Sequence, residues 1–191
     1  MRIPPNRIGF DIDGVVADTL EAFIRLAGSD YQIEVSPPEI TDFMVEECLN
    51  IDLEIIEDIF SKLLLDPLGT GLEPMDQALA VLEELAREAP LTFITARPQA
   101  LPINDWLEHH LSPDAFAVTR LVATGDHDNK ADHIRRLGIS HFIDDRSETC
   151  NQLALEKDIT PIVYEQPWNM NKHRLTSVAD WPSIKKLCLY N

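Results

Sequence analysis

Two aspartates, Asp11 and Asp13, stand two residues apart at the end of an apolar run, Ile8-Gly9-Phe10-Asp11-Ile12-Asp13-Gly14-Val15-Val16. The run reads as a buried strand. In open α/β sheets the reactive groups gather where strands end and the chain turns, so both carboxylates are expected on the floor of a crevice. Gly14 permits the sharp turn that lets them point into it. Two carboxylates at a buried strand end repel each other and lose hydration, which is tolerated when a metal or hydrogen bonds compensate. A solvated turn is the competing reading, because Asp and Gly are ordinary turn residues.

Three later positions repeat the pattern. Thr95 ends the β-rich run Leu91-Thr92-Phe93-Ile94-Thr95, Lys130 opens a helical stretch, and Asp144 and Asp145 follow His141-Phe142-Ile143. A fold that brings strand ends together would gather carboxylates, a hydroxyl and an ammonium in one pocket. That inventory suits transfer of a phosphoryl group with magnesium, since hard oxygen ligands fit the metal and cations neutralise phosphate oxygens. Each residue also has an ordinary explanation: Thr95 as a strand residue, Lys130 as a surface lysine, Asp144 and Asp145 as a helix-capping pair. Arg97 and Arg146 either clamp phosphate or pair with carboxylates, and pairing is favoured for Arg146. His127, in the turn-like Gly125-Asp126-His127-Asp128-Asn129, is expected to face solvent.

The elements that must position these groups alternate. Strands are expected at 8–10, 91–95, 120–123, 141–144 and 161–164, and helices where Ile103, Trp106, Leu107 and His110 share a face, over 130–137, and after Ser147 as an N-cap. Such alternation implies an α/β fold: a Rossmann-like three-layer core whose mostly parallel five-stranded sheet is covered on both faces. From Ile12 to Pro90, between the first two strands, 79 positions intervene, more than one crossover helix needs. Within them Leu20, Phe23, Ile24 and Ala27, and then Leu53, Ile56, Ile59, Phe60, Leu63 and Leu64, recur at helical spacing. The expected organisation is a core of residues 1–17 and 76–191 with a small helical cap, 18–75, inserted after the first motif, and Ala78 to Ala86 returning the chain to the sheet.

Composition narrows the function classes. The 191-residue chain is 45% hydrophobic, enough for one good core, and carries a net charge of −17, which disfavours a nucleic-acid polymer as partner. Residues 18–75 hold fourteen acidic residues against two basic ones, Arg25 and Lys62, a net of −12 that leaves −5 for the rest. No apolar run approaches the ~20 residues that span a bilayer, and Met1 to Asn6 lacks a signal-like apolar stretch, so a cytoplasmic protein without membrane contact is expected. Cys48, Cys150 and Cys188 are odd in number and widely spaced, which suggests reduced thiols. Trp106, Trp168 and Trp181 are expected in the core.

The order Asp-x-Asp-Gly, strand-end Thr, Lys and Asp-Asp resembles the haloacid-dehalogenase superfamily, and the insertion matches its helical type-1 cap. More narrowly, Ile143-Asp144-Asp145-Arg146, Gln166-Pro167-Trp168-Asn169 and Ser177-Val178-Ala179-Asp180-Trp181 resemble the cytosolic 5'(3')-deoxyribonucleotidase family. The resemblance implies that Asp11 is a nucleophile taking phosphate as an aspartyl ester. Asp13 would be the acid that protonates the leaving oxygen and then activates water. Asp11, Asp144 and the Asp13 carbonyl would ligate Mg2+, and Asp145 would hold a metal-bound water or orient Lys130. Thr95, Ala96, Arg97 and Lys130 would bind phosphate. Dehalogenases and phosphonatases of the superfamily lack an acid at the Asp13 position, so phosphoryl chemistry on a small phosphorylated substrate is implied.

Two positions depart from the narrower family. Its aromatic residue that stacks on the nucleobase is Thr19 here, and its Thr-Ser is Thr95-Ala96 followed by Arg97. Phe23, Tyr31 and Phe43 are candidates for a replacement stacking platform. A (deoxy)nucleoside monophosphate is the leading substrate. The alternatives are a sugar phosphatase or phosphomutase of the same superfamily, and a non-catalytic binding or regulatory protein.

Overall fold

The computed structural model describes residues 2–127 and 130–190, so Asp128 and Asn129 of the expected His127 loop lie outside the described residues. Six parallel strands form one sheet: β1 (Ile8–Phe10), β2 (Leu91–Thr95), β3 (Thr119–Ala123), β4 (His141–Asp144), β5 (Thr160–Tyr164) and β6 (Ser177–Val178), in the order β3-β2-β1-β4-β5-β6. The five expected strands are present. The sixth was not expected, because two residues carry no periodicity, and Ser177–Val178 is a strand only through its pairing with β5.

The short β1 lies at the centre of the sheet. Phe10 pairs with Phe93 on one side and Ile143 on the other, which brings Asp11, one residue beyond β1, level with Asp144. Alternation within the strands splits the core in two. Phe10, Phe93 and Ile143 join a large cluster with residues of α3 (Ala78–Ala86), α4 (Leu101–His110), α5 (Pro113–Ala117) and α8 (Trp181–Leu189). Ile94 and Phe142, their immediate neighbours in sequence, pack instead with Ile134 of α6 (Lys130–Arg136) and Leu153 of α7 (Ser147–Leu153). Helices thus cover both faces, giving three layers. Ser147 does not cap α7 as expected. It is the first helical residue and its hydroxyl turns to the Glu148 carboxylate, while Asp144 Oδ1 accepts the Arg146 N–H at 2.9 Å.

Between β1 and β2 the segment 18–75 carries α1 (Thr19–Tyr31) and α2 (Leu53–Leu65), whose apolar faces meet with Phe23 and Phe60 stacked at 5.2 Å. The chain enters and leaves this insert through two paired segments: the Asp18 N–H donates to the Glu73 carbonyl and the Met75 N–H to the Val16 carbonyl, each at 2.8 Å. Its two cations are internal ties. Lys62 reaches Asp30 and Asp58, and Arg25 holds Glu21 together with the carbonyls of Thr70 and Gly71. The three cysteines are unpaired, with Cys150 and Cys188 buried. Among the described residues no helix is long and apolar enough to cross a membrane.

Candidate active site

Asp11 extends the β1 ladder by one bond, its N–H donating to the Ile143 carbonyl at 2.8 Å, and so projects beside Asp144 at the sheet's C-terminal edge. Lys130, the first residue of α6, inserts its ammonium between them, 3.1 Å from Asp11 Oδ1, 2.7 Å from Asp144 Oδ2 and 5.3 Å above the Phe142 ring. The lysine is only 1% exposed. Burial works against its charge, but the two carboxylates outweigh it and the ammonium is held above its usual range. Lys130 is therefore not a surface lysine.

Asp145 completes the cluster, and Asp11, Asp144 and Asp145 each offer an oxygen within 4.8 Å of the others. Three carboxylates against one ammonium leave an excess of buried negative charge. Burial pushes Asp11 up to about 7, reinforced by Asp144 and Asp13 against the pull of Lys130. Asp145 is raised well above the carboxylate range, first by burial and then by Asp144 and Asp11. Its Oδ1 is buried with no hydrogen-bond partner among the described residues. Closely set hard oxygens with unspent acceptor capacity fit a divalent cation of the Mg2+ type, which would offset the repulsion.

Asp13 occupies different surroundings. Ile12 accepts the N–H groups of Val16 and Ala17 at 2.8 and 2.9 Å, closing a tight loop through Gly14 at φ +70°. A Cβ on Gly14 would lie 2.3 Å from Asp145 Oδ2, so this glycine permits both the turn and the close approach of Asp145. The Asp13 carboxylate takes a fork of two bonds from Arg97, at 2.9 Å from Nε and 2.8 Å from Nη2, and a third from the Thr19 hydroxyl at 2.7 Å. Desolvation would raise this acid, but Arg97 and Thr19 prevail and hold it below the usual range.

Thr95 is buried at the end of β2, and its hydroxyl accepts the Arg97 N–H at 3.2 Å. Ala96 lies between them on the cavity wall. The strand-end loop is braced by its neighbour: Thr124 donates to the Thr95 carbonyl and Gly125 to that of Arg97. Arg97 thus pairs with a carboxylate, the alternative weighed for it in the sequence. Arg146 lies 3.9 Å from Glu148 and 5.3 Å over the Phe43 ring.

Indole and amide groups that sequence reasoning had treated as core or as family markers brace the site directly. Trp168 Nε1 donates to Asp145 Oδ2 at 3.0 Å, Asn169 Nδ2 to the Asp145 carbonyl and Gln166 Nε2 to the Gly14 carbonyl, each of these two at 2.7 Å. Trp181 Nε1 holds the Val15 carbonyl at 2.8 Å. The Gln-Pro-Trp-Asn tetrad and the Ser-Val-Ala-Asp-Trp segment were the available signals.

Above the acids opens a cavity of about 550 Å3. Its floor includes Asp13, Arg97, Asp145 and Trp168, and the insert supplies an apolar wall containing Phe23, Ile40, Phe43, Ile56, Phe60 and Leu64. Phe23 and Phe43 are therefore in place. Tyr31 is not, since its hydroxyl is bonded to Asp58 on the insert's exterior. His127 departs from expectation too: it is half-buried at the cavity edge, its ring edge-on to Phe43 at 5.5 Å.

Comparison with known proteins agrees with this architecture. Residues 6–191 match the family "5' nucleotidase, deoxy (Pyrimidine), cytosolic type C protein". A nucleotidase of Clostridium acetobutylicum is 24% identical over 147 residues, covering 77% of this chain and 74% of its own. A haloacid dehalogenase-like family hydrolase from Streptococcus pneumoniae superposes with a TM-score of 0.61 at 17% identity, covering 93% of this chain and 95% of its own. A HAD-superfamily hydrolase from Ehrlichia chaffeensis gives 0.54 at 13% identity, with 97% and 96% covered. The chain belongs to the cytosolic type C deoxy (pyrimidine) 5' nucleotidase family and is a phosphatase built on the haloacid-dehalogenase fold.

Proposed function

We propose that this protein is a Mg2+-dependent phosphomonoester hydrolase acting in the cytoplasm on (deoxy)nucleoside monophosphates through a phosphoryl-aspartate. The observation that carries the reading is a buried cluster of carboxylates and one ammonium that adjoins, through Asp13 and Asp145, a mostly apolar cavity of about 550 Å3, within the range that encloses a drug-sized ligand. Asp11 Oδ attacks phosphorus and the bond to the leaving oxygen breaks, with Asp13 supplying that oxygen's proton. Water then attacks the phosphoryl-aspartate, Asp13 takes the proton, and phosphate leaves. Asp13 as found here, held ionised by Arg97 and Thr19, is in the state that the second step needs. Lys130 holds Asp11 and Asp144 in place and offsets the incoming phosphate charge, and Thr95 and the Ala96 backbone are the donors for its oxygens. A Mg2+ ion bound by Asp11 and Asp144, with the Asp13 carbonyl and with Asp145 behind, would neutralise phosphoryl charge.

The leaving group is expected to be flat or apolar and without a second anion. The insert's cavity wall is aromatic and aliphatic, and its charged members, Asp42, Glu46 and Glu57, are all acidic. The test is phosphate release from deoxynucleoside and ribonucleoside monophosphates, sugar phosphates and an aryl phosphate, with and without Mg2+. Magnesium-dependent release favouring nucleotides supports the reading. Faster turnover of sugar phosphates, isomerised sugar phosphate in place of free phosphate, or metal binding without turnover would replace it with a sugar phosphatase, a mutase or a binding protein respectively.

A further inference from the structure

The guanidinium of Arg97 is 3% exposed, and three of its donors are committed. Nε and Nη2 fork onto Asp13, and Nη1 donates to the Leu63 carbonyl at 3.0 Å. Leu63 lies in the last turn of α2, where the final carbonyls of a helix have no intrahelical partner and the helix dipole favours a cation. One side chain at the end of β2 therefore joins the catalytic loop after β1 to the C-terminal end of the insert's second helix.

The side chain is one of several links between the segment 18–75 and the core, alongside the paired segments at 16–18 and 73–75, the Trp106 indole on the Leu72 carbonyl and the Lys172–Asp42 pair, and it is the one that ties the end of α2 to Asp13. Its bond to a main-chain carbonyl depends on where α2 lies and not on which side chain the insert presents. A fork on Asp13 also leaves little of the guanidinium for a phosphoryl group, whereas Ala96 on the cavity wall and Lys130 and Thr95 buried just beneath it remain for that task.

We propose that Arg97 is a positioning residue that latches the helical insert over the core, fixing Asp13 only while α2 is docked, and that phosphate capture belongs to the other residues of the floor. The inference rests on the hydrolase reading for its catalytic consequence. The latch itself is a property of the apo protein.

Two variants test it, Arg97→Gln and Arg97→Lys, because an ammonium keeps the charge and cannot fork onto Asp13 while reaching Leu63. Three quantities are compared with wild type: amide hydrogen exchange in α2 against β4, calorimetric binding of inorganic phosphate with Mg2+ present, and the kcat and KM of an ester that fills the cavity. Loss of a charge-assisted bond predicts exchange in α2 faster by about ten- to hundredfold with β4 unchanged. It also predicts phosphate affinity within about threefold of wild type, and KM raised along with a fall in kcat as the closed state is depopulated. A tenfold or greater loss of phosphate affinity would overturn the proposal and make Arg97 a phosphate ligand. Unchanged α2 exchange would overturn it as well, and so would loss of protection in β4 in both variants, which would make Arg97 a residue of the core. Exchange and phosphate binding need no turnover, so an inactive wild type would count against the hydrolase reading alone.

Discussion

Asp11 and Asp13 are separated by one residue in sequence and by opposite electrostatics in space. Asp11 sits among carboxylates, beside Asp144 and near Asp145 with one ammonium shared between them, and burial pushes it up to about 7. Asp13 faces the insert, where a guanidinium fork and a hydroxyl hold it below the usual range. In the proposed reaction the two take different parts, Asp11 as metal ligand and nucleophile once a bound cation holds it ionised, and Asp13 as proton carrier. The spacing alone does not assign these parts. What separates the two acids is their partners, which arrive from four other elements of the fold.

The contrast can be broken from either side. On the Asp11 side, Asp11→Asn removes nucleophile and metal ligand together and is expected to lower kcat/KM on the order of 10⁴-fold or more, as read by phosphate release. Asp13→Asn leaves the metal cluster whole and should cost about 10²–10⁴-fold in kcat, with Mg2+ affinity close to wild type by calorimetry. Equal losses of Mg2+ affinity in the two variants would erase the distinction between the acids.

Smaller changes sharpen it. Trp168→Phe removes the indole donor that fixes Asp145 and is expected to weaken Mg2+ binding by about 10–100-fold while leaving the Asp13 fork intact. Protons compete with metal at the Asp11 cluster, so Mg2+ affinity should fall by up to about tenfold per pH unit below about 7. The raised Asp11 favours the metal-free fold below the unfolded carboxyl value. That contribution is lost as pH climbs through about 7, where Mg2+ should restore it, and thermal denaturation with and without metal across pH 5–8 checks the sign. Thr19→Val removes one bond to Asp13 and is expected to lower kcat about two- to tenfold with Mg2+ affinity unchanged.

Much of this was legible in the sequence, for reasons visible in particular residues. The buried strands β1, β2 and β4 are apolar runs that end in polar groups, so Asp11, Thr95 and Asp144 announced both the sheet and the edge where these groups gather. The helices α1 and α2 between β1 and β2 were legible from two apolar stripes and a long gap. What escaped depends on tertiary partners. Ser177–Val178 becomes a strand only beside β5. Ser147 does not cap because the helix begins one residue earlier than expected, with Arg146 at the cap position and Ser147 already inside the first turn. His127 and Tyr31 exchanged expected places because neither exposure nor stacking is written in a lone residue. Thr19 and Arg97 read as departures from the family pattern, and nothing in their spacing announced that both would meet on Asp13. Trp168 read as core, and its indole N–H reaches the acid cluster.

The most direct test of Asp11 as nucleophile uses Asp13→Asn with an aryl phosphate, whose leaving group needs no proton. The reaction is quenched in acid after a few seconds and the peptide containing residues 8–16 is weighed. The account predicts phosphate covalently held on Asp11, accumulating because the base for its hydrolysis is gone, and absent in Asp11→Asn. Release of phosphate by the Asp13→Asn variant with Asp11 never modified, or the label on another residue, would contradict it.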